Sequence, residues 1–380
     1  MDKITEEMNH RILNWLNGKP SPPVKIEYEL TNRCNLNCLS CKAMKNFELS
    51  PYIPENEISS KRAIELIRNV AKLDVKIIKL TGGGEPLEKN SVIEIMEEIK
   101  SENIKGELNT NGTLLNKEMI NKLVDIGWDT VIISLDAPDA ETNDILRQRR
   151  GSFGKVVENI KKIQRTKKEF NKELPRIEIA TVWSKGNSEK LNEMVEVCKF
   201  LNVGGFILQP LRIKDHKYDG FLLIQDKQKA KNNLEMARIR LDNSGIDNNL
   251  SDIDIQISNK NSQEILDLKK NDRNDPLTRI DCLSPFVDVK IYPNGDVGPC
   301  QNGGREPNKD MKSLKSSKLK GIWYSDYFNK IRKESILGKL KEKENFCKSC
   351  CGVSIYSNEF KKWLKENNLR IDEKKIKNFW

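Results

Sequence analysis

The sequence predicts an α/β fold in which a parallel sheet closes part of the way into a barrel. Between residues 25 and 209, short runs rich in β-branched residues alternate with longer segments of helical periodicity. This alternation defines six β/α units, whereas a complete barrel of this type contains eight. We therefore expect a partial (β/α)6 barrel that is open on one side.

The individual elements follow from the spacing of apolar residues and from cap residues. The predicted strands are residues 25–30, 75–81, 106–110, 130–135, 176–182 and 205–209. The predicted helices are residues 59–71, 91–100, 117–126, 153–167 and 189–200. Ser59 is suited to cap the first of these helices. Cys198 lies among apolar residues of the last helix, where we expect a buried structural thiol.

Changes of composition divide the chain into five parts. These are an N-terminal extension, the barrel, a charged connector, a small hairpin-plus-helix domain, and a C-terminal helix with a tail, at residues 1–24, 25–211, 212–281, 282–352 and 353–380. Pro20, Pro22 and Pro23 end an amphipathic stretch before the first strand. Asn294-Gly295 is a strong hairpin signal and follows an alternating apolar run.

The charge balance does not favour a nucleic-acid partner. The 380 residues include 66 basic and 56 acidic ones, which gives a net charge of +10. Because the two signs are interleaved and aromatic residues are few, we interpret the charge as a solvated, lysine-rich surface. No apolar run approaches the roughly 20 residues that span a bilayer, and no secretion signal is present. We therefore expect a cytoplasmic protein without a membrane partner, whose nine cysteines bind metal rather than form disulfides.

Three of the cysteines follow the first predicted strand within eight positions. Cys34, Cys38 and Cys41 have the spacing C-x3-C-x2-C. Structural zinc sites and ordinary iron–sulfur clusters use four protein ligands, so a set of three leaves one coordination position open. An open position on a metal is where a substrate or a second cofactor binds. The loop therefore predicts a catalytic metal centre.

This loop resembles the cluster loop of the radical S-adenosylmethionine (radical SAM) superfamily. The resemblance implies a 4Fe-4S cluster on the three thiolates, with the amino and carboxylate groups of SAM on the fourth iron. Three glycines and a glutamate end the second predicted strand. Any phosphate-binding or nucleotide-binding loop can contain such a glycine run. At this position it resembles the family's GGE motif, which implies that Gly83, Gly84 and Glu85 hold the methionyl amino group.

Two further strand ends resemble the peptide-maturase branch of the superfamily. They are residues 109–112, which read Asn-Thr-Asn-Gly, and residues 134–138, in which Ala137 stands where that branch commonly has glycine. The resemblance implies that Asn111 contacts the cofactor, and that Ser134 and Arg147, one loop later, bind the methionyl carboxylate. An arginine suits this task because its guanidinium binds a carboxylate through two parallel hydrogen bonds.

The C-terminal cysteines form a second candidate metal site. Its predicted members are Cys282, Cys300, Cys347 and Cys350. Four thiolates are a closed set for zinc or for a 4Fe-4S cluster, and spacing does not choose between the two. The spacing with Gly295 resembles the SPASM/twitch auxiliary-cluster domain. A full SPASM domain has more cysteines, whereas only Cys351 follows here. The resemblance therefore implies one auxiliary 4Fe-4S cluster of the twitch type, with either Cys350 or Cys351 as fourth ligand.

The resemblance covers residues 25–352 and implies an oxidoreductase-like radical SAM enzyme. Such an enzyme cleaves SAM reductively to methionine and a 5′-deoxyadenosyl radical, which removes a hydrogen atom from a substrate carbon. The single auxiliary cluster and the short N-terminal extension favour a net oxidation or rearrangement of a small polar metabolite of sugar or cyclitol type. A reducing partner such as flavodoxin or ferredoxin is implied.

Three alternatives stay open at this point. The strand ends at residues 109–112 and 134–138 also fit a peptide- or protein-modifying maturase. The net positive charge would fit an RNA-modifying enzyme, for which salt-sensitive RNA binding is the test. A non-catalytic iron–sulfur or zinc scaffold would yield no 5′-deoxyadenosine from SAM.

Overall fold

A computed structural model describes most of the chain. The described residues are 2–44, 56–211, 219–222, 224–251, 253, 280, 282–300, 312–340 and 355–371. Within them the predicted α/β class is confirmed, because six successive parallel strands alternate with helices along the chain.

The strands of the described residues form one sheet. They are β1 (Lys25–Glu29), β2 (Ile77–Thr81), β3 (Lys105–Thr110), β4 (Thr130–Ser134), β5 (Arg176–Trp183), β6 (Gly205–Pro210), β7 (Asp247–Asn248), β8 (Asp288–Ile291), β9 (Asp296–Gly298) and β10 (Lys312–Ser313). Their order is β10-β9-β8-β1-β2-β3-β4-β5-β6-β7. Neighbours from β8 to β7 pair in parallel, whereas β8 with β9 and β9 with β10 pair antiparallel.

The helices pack against the outer face of this sheet, with which they share one apolar core. They are α1 (Lys3–Leu16), α2 (Leu39–Met44), α3 (Ser60–Ala71), α4 (Val92–Ser101), α5 (Lys117–Asp125), α6 (Ala140–Arg147), α7 (Ser152–Glu169), α8 (Leu191–Phe200), α9 (Asp219–Leu222), α10 (Lys227–Asp242), α11 (Leu319–Trp323), α12 (Asp326–Ile336) and α13 (Ile355–Glu366). Among the described residues, none of the helices combines the length and apolar composition that a bilayer crossing requires.

Alternate residues of each strand face two different environments. In β2, Ile78 and Leu80 are fully buried in the apolar core between the sheet and the helices. Lys79 and Thr81 are half-buried on the opposite, inner face of the sheet. We call this inner side the lumen. Cys198 of α8 is fully buried in the same apolar core, as the helical pattern predicts.

The predicted hairpin is confirmed and extends the sheet. Gly295 adopts a φ of +90°, which glycine tolerates, and its N–H donates to the Tyr292 carbonyl in the turn between β8 and β9. On its other side β8 pairs in parallel with β1, so that Lys25 lies opposite Asp288. The sheet therefore runs across the expected boundary at residue 282, and the division into domains itself stays a prediction.

A buried arginine ties the C-terminal helices to the N-terminus. Arg332 of α12 is fully buried, with its guanidinium carbon 4.1 Å from the ring centres of both Trp15 of α1 and Trp323 of α11. Its Nε donates to the Pro285 carbonyl at 2.9 Å, and its Nη1 donates to the Trp323 carbonyl at 2.9 Å. Through these contacts Arg332 joins α1, α11 and α12.

Two elements differ from the expectation. We expected Arg147 in a loop, but it ends helix α6, which Asp139 caps by accepting the Thr142 N–H at 2.8 Å. Strand β7 lies in the expected connector, where it pairs in parallel with β6. Two residues are too few to show an apolar alternation, so the sequence has no signal for β7.

Candidate functional site

The three N-terminal cysteines lie where β1 ends, on the loop that leads into α2. Cys34 is exposed, Cys38 is buried and Cys41 is half-buried, and none of them forms a disulfide. Leu30 and Thr31, which precede the loop, are buried, so the start of the loop is anchored in the sheet. The thiols thus stand at the carboxyl edge of the sheet, where ligands of parallel α/β folds bind.

The glycine loop after β2 packs directly against this cysteine loop. The Gly84 N–H donates to the Thr31 carbonyl at 3.0 Å, and the Glu85 N–H donates to the Arg33 carbonyl at 2.7 Å. A Cβ on Gly84 would lie 1.9 Å from the Arg33 carbonyl oxygen, and one on Gly83 would lie 1.8 Å from the Asn32 Oδ1. At Gly84 only glycine permits such close approach of the two backbones, whereas the neighbour of Gly83 is the side chain of Asn32.

The carboxylate of Glu85 binds the end of β3. Its Oε1 accepts from the Thr110 hydroxyl at 2.6 Å, and its Oε2 accepts from the Asn111 N–H at 2.7 Å. Burial raises the pKa of Glu85, although the hydrogen bonds from Asn111, Thr110 and Leu87 oppose this shift. These bonds show that the Glu85 side chain joins two strand ends. The contact of Glu85 with the cofactor stays a prediction.

Asn111 bridges the end of β3 to the cysteine loop. Its Nδ2 donates to Asn35 Oδ1 at 2.8 Å, and its Oδ1 accepts from the Thr113 N–H at 2.9 Å. Asn35 in turn donates to the Thr113 hydroxyl at 2.9 Å. Asn35 lies between two of the cysteines, so this ring of polar side chains fixes the loop that carries them.

Arg147 connects the end of β4 with the cysteines. Its Nε lies 2.8 Å from Asp136 Oδ2, and its Nη1 donates to Cys38 Sγ at 3.9 Å. Both charged residues are buried. Burial alone would lower the pKa of Arg147, but Asp136 and then Cys38 outweigh it and raise the pKa. A permanent positive charge therefore lies beside one of the three thiols.

The structure brings most of the predicted cofactor residues to one edge of the sheet. The glycine loop, Asn111 and Arg147 all contact the cysteine loop directly. Ser134 ends β4 two residues before Asp136, which pairs with Arg147. Sequence reasoning missed the roles of Asp136, which is buried, and of Asn35, which is half-buried, since neither belongs to the ligand types that the spacing singles out.

The second set of thiols lies partly outside the described residues. Cys282 precedes β8, where its N–H donates to the Ser335 hydroxyl oxygen at 3.0 Å, and Cys300 follows β9. The hairpin therefore separates these two cysteines, as expected. Cys347, Cys350 and Cys351 lie outside the described residues.

The donor set of the N-terminal loop fits an iron–sulfur cluster better than a single ion. Within the described ranges, no three His, Cys, Asp or Glu side chains converge as the ligands of one metal ion do. In a cluster each thiolate binds its own iron, so the thiols need not converge. Burial raises the pKa of Cys38, while the charge of Arg147 opposes this and favours the thiolate that a cluster requires.

Comparison with protein families agrees with this geometry. A family profile described as the radical SAM superfamily matches residues 28–172, and the SPASM profile, described as an iron-sulfur cluster-binding domain, matches residues 282–351. The first domain implies a 4Fe-4S cluster and SAM, and the second implies auxiliary iron–sulfur clusters.

Individual relatives match parts of the chain. An AdoMet-dependent heme synthase of Methanosarcina barkeri is 32% identical over 179 residues, which are 47% of this chain and 48% of that protein. The sporulation killing factor maturation protein SkfB of Bacillus subtilis is 33% identical over 187 residues, which are 49% of this chain and 42% of that protein. The chain thus spans about half the length of the curated relatives that it matches.

A solved structure shares the fold over most of the chain. Streptococcus suis SuiB bound to S-adenosylmethionine superposes with a TM-score of 0.62 at 18% identity, over 90% of this chain and 73% of that one. The first matched domain contains the three-thiol loop, and the second contains the C-terminal hairpin. The chain therefore carries a radical SAM domain followed by a C-terminal SPASM domain.

Proposed function

We propose that this protein cleaves SAM reductively and uses the resulting radical to remove a hydrogen atom from a substrate carbon. The observation that carries the proposal is the contact of three segments at one sheet edge. The cysteine loop, the glycine loop and Arg147 come from β1, β2 and α6, yet the glycine loop and Arg147 both contact the cysteine loop directly. A site that only binds a structural metal needs neither the glycine loop nor Arg147.

The chain's own residues then have distinct roles. Cys34, Cys38 and Cys41 would hold the cluster, which when bound would supply the single electron for reductive cleavage of SAM to methionine and a 5′-deoxyadenosyl radical. The backbone of Gly83 and Gly84 lies closest to the cysteine loop and is suited to the methionyl amino group. Glu85 and Asn111 hold both loops in register through their hydrogen bonds.

Ser134 and Arg147 are the proposed partners of the methionyl carboxylate. Arg147 uses Nε for Asp136 and Nη1 for Cys38. A guanidinium carries five N–H donors, so donors remain for a carboxylate after these contacts. At the C-terminal site, Cys282, Cys300, Cys347 and Cys350 are the proposed ligands of one auxiliary 4Fe-4S cluster. Flavodoxin or ferredoxin is the proposed reductant, in the cytoplasm.

For the substrate we propose a small polar metabolite, which undergoes a net oxidation or rearrangement. Charged side chains line the lumen along the strands that lead to the cluster loop, among them Lys25, Glu27 and Glu107. A polar ligand regains in such a lumen the hydrogen bonds that it loses with water.

Peptide modification is the second candidate function. SkfB is a maturation protein, and Streptococcus suis SuiB was also solved bound to its precursor peptide SuiA, with a TM-score of 0.60 to this chain. Both observations concern those proteins. Turnover of a peptide, with a modified residue detected by mass spectrometry, would favour this function over the metabolite.

Substitution of Cys34 tests the central assignment. In anaerobically reconstituted protein under dithionite, we expect Cys34→Ala to produce no 5′-deoxyadenosine and to hold about four irons instead of about eight. Cys300→Ala should also lose about half of the iron but can keep SAM cleavage. The matched control is Cys198→Ala, which removes a thiol of α8 and should leave both readouts unchanged. SAM cleavage by the Cys34→Ala protein would overturn the proposal.

A further inference from the structure

One charged side chain of β2 faces the lumen. The strand register places Lys79 opposite Glu27 of β1 and opposite Glu107 of β3. Glu178 also acts electrostatically on Lys79, although Glu178 belongs to β5, which β3 and β4 separate from β2. Because β5 is not a neighbour of β2 in the sheet, a charge on β5 can act on β2 only across the lumen. The Lys79 side chain therefore points into the lumen.

The neighbouring lumen cations are all paired with carboxylates. The pairs are Lys25 with Glu107 (3.0 Å), Lys290 with Glu27 (3.1 Å) and with Glu29 (2.8 Å), and Arg176 with Glu178 (3.0 Å). Lys79 has no ion pair with any residue of the ranges that the structure describes. The carboxylates that face Lys79 are thus already occupied, and its ammonium is left for another partner.

The surroundings of Lys79 are unfavourable for an isolated ammonium. Its side chain is half-buried and so keeps some contact with solvent. Burial, followed by the charge of Lys25, lowers the pKa of Lys79, and Glu107, Glu27 and Glu178 offset this only in part. An anion that enters the lumen would restore interactions that the ammonium has lost with water.

We propose that Lys79 binds a carboxylate group of the substrate in the lumen. This inference rests on the proposed function and specifies its substrate class. A carboxylate carries one negative charge and matches one unpaired ammonium. A phosphate dianion would bring a second negative charge among Glu27, Glu107 and Glu178, which disfavours it.

The position of Lys79 also sets where the substrate lies. Thr81 ends β2 two residues farther along, immediately before the glycine loop. Two residues of a strand span roughly 7 Å. The Cα of Lys79 therefore lies about that far from the edge where the cysteine and glycine loops lie. A substrate held by its carboxylate at Lys79 is thus placed on the lumen side of that edge.

Competitive acetylation of lysine amines tests this site. Reconstituted protein is treated with trace acetic anhydride, and the acetylation rate of Lys79 is measured by mass spectrometry, with the exposed Lys117 as internal reference. One arm compares glucuronate with glucose, and the other compares a capped glutamyl peptide with its glutaminyl counterpart. A bound carboxylate should slow acetylation of Lys79 about tenfold for each unit by which it raises the pKa.

The two arms distinguish the sources of the carboxylate. Protection by glucuronate but not glucose supports a small acid, and protection by the glutamyl peptide but not its counterpart supports an acidic peptide. Equal protection by the neutral partners, no protection in either arm, or stronger protection by inorganic phosphate overturns the inference. Formation of 5′-deoxyadenosine is measured on the same preparation, so a failure of the proposed function is recognised separately.

Discussion

The Nη1 atom of Arg147 lies 3.9 Å from the sulfur of Cys38, although 109 positions separate the two residues in the chain. The contact places the end of α6 against the cysteine loop that follows β1. Asp136 lies on the other side of the guanidinium, 2.8 Å from its Nε. The arginine is thus both part of a buried ion pair and a neighbour of the proposed cluster.

These two roles of Arg147 can be separated by a pair of variants. Arg147→Gln leaves Asp136 buried without its partner, which should lower the free energy of unfolding by about 3–5 kcal/mol. The double variant Arg147→Gln/Asp136→Asn removes both charges and should regain most of that stability. We expect neither protein to bind SAM in equilibrium dialysis. Recovery of SAM binding in the double variant would show that Arg147 serves the fold alone.

The close contact of the glycine and cysteine loops predicts a steric effect. Gly84→Ala would place a methyl group 1.9 Å from the Arg33 carbonyl oxygen, so the cysteine loop must move. We expect this protein to retain less iron after desalting and to lose SAM cleavage. Gly154→Ala in α7 is the control, because nothing lies within 4 Å of its added Cβ, and it should keep its iron. Equal iron contents would contradict the tight packing.

Substitution of Arg332, the buried cation of α12, is expected to lower the stability of the protein strongly. Burial lowers the pKa of Arg332 to about 9, so the guanidinium stays charged at neutral pH. Arg332→Met replaces the guanidinium with an apolar group. The variant therefore loses two hydrogen bonds to carbonyl groups and the contacts with two indole rings. We expect a loss on the order of 3 kcal/mol in unfolding by urea. Lys333→Met, at an exposed position of the same helix, should change little.

The free energy of unfolding is expected to depend on pH because of Asp288. Burial raises its pKa to about 7 from the ordinary 3.8, although Lys25 and the Tyr356 hydroxyl oppose this shift. Between these values the folded protein holds a proton that the unfolded chain has released. Raising the pH through this window therefore lowers the free energy of unfolding, by up to ~1.4 kcal/mol per pH unit.

Substitution by asparagine removes this titration. Between about pH 5 and pH 7, Asp288→Asn should therefore become progressively more stable than the natural protein, and the difference should level off above pH 7. Thermal unfolding midpoints of the two proteins give the comparison. Asp125→Asn, at an exposed position of α5, should follow the natural protein at every pH. Parallel curves for Asp288→Asn would mean that Asp288 is ionised in the folded state throughout.

The sequence was sufficient for the features that depend on local spacing. The three-thiol loop, the strands and the Asn294-Gly295 hairpin each have a signal within about ten residues, and the strands and the hairpin are confirmed. The helix that carries Arg147 had a local signal in the Asp139 cap, which our interpretation passed over.

Long-range contacts could not be predicted in this way. Glu85 accepts hydrogen bonds from β3, and Lys79 faces Glu178 across the lumen, because of how separate strands are arranged in space. A single sequence shows the alternation along each strand but not which strands are neighbours. The pairing of β8 with β1 is the clearest case, since more than 250 positions lie between them.

This pairing has a consequence for how the molecule unfolds. Since β1 is hydrogen-bonded to β2 on one side and to β8 on the other, its backbone amides are shielded only while both neighbours are in place. A chain cut before Cys282 would expose one full edge of β1, next to the cysteine loop, to pairing with other molecules. The barrel and the C-terminal hairpin are therefore expected to exchange their amide hydrogens as one cooperative unit.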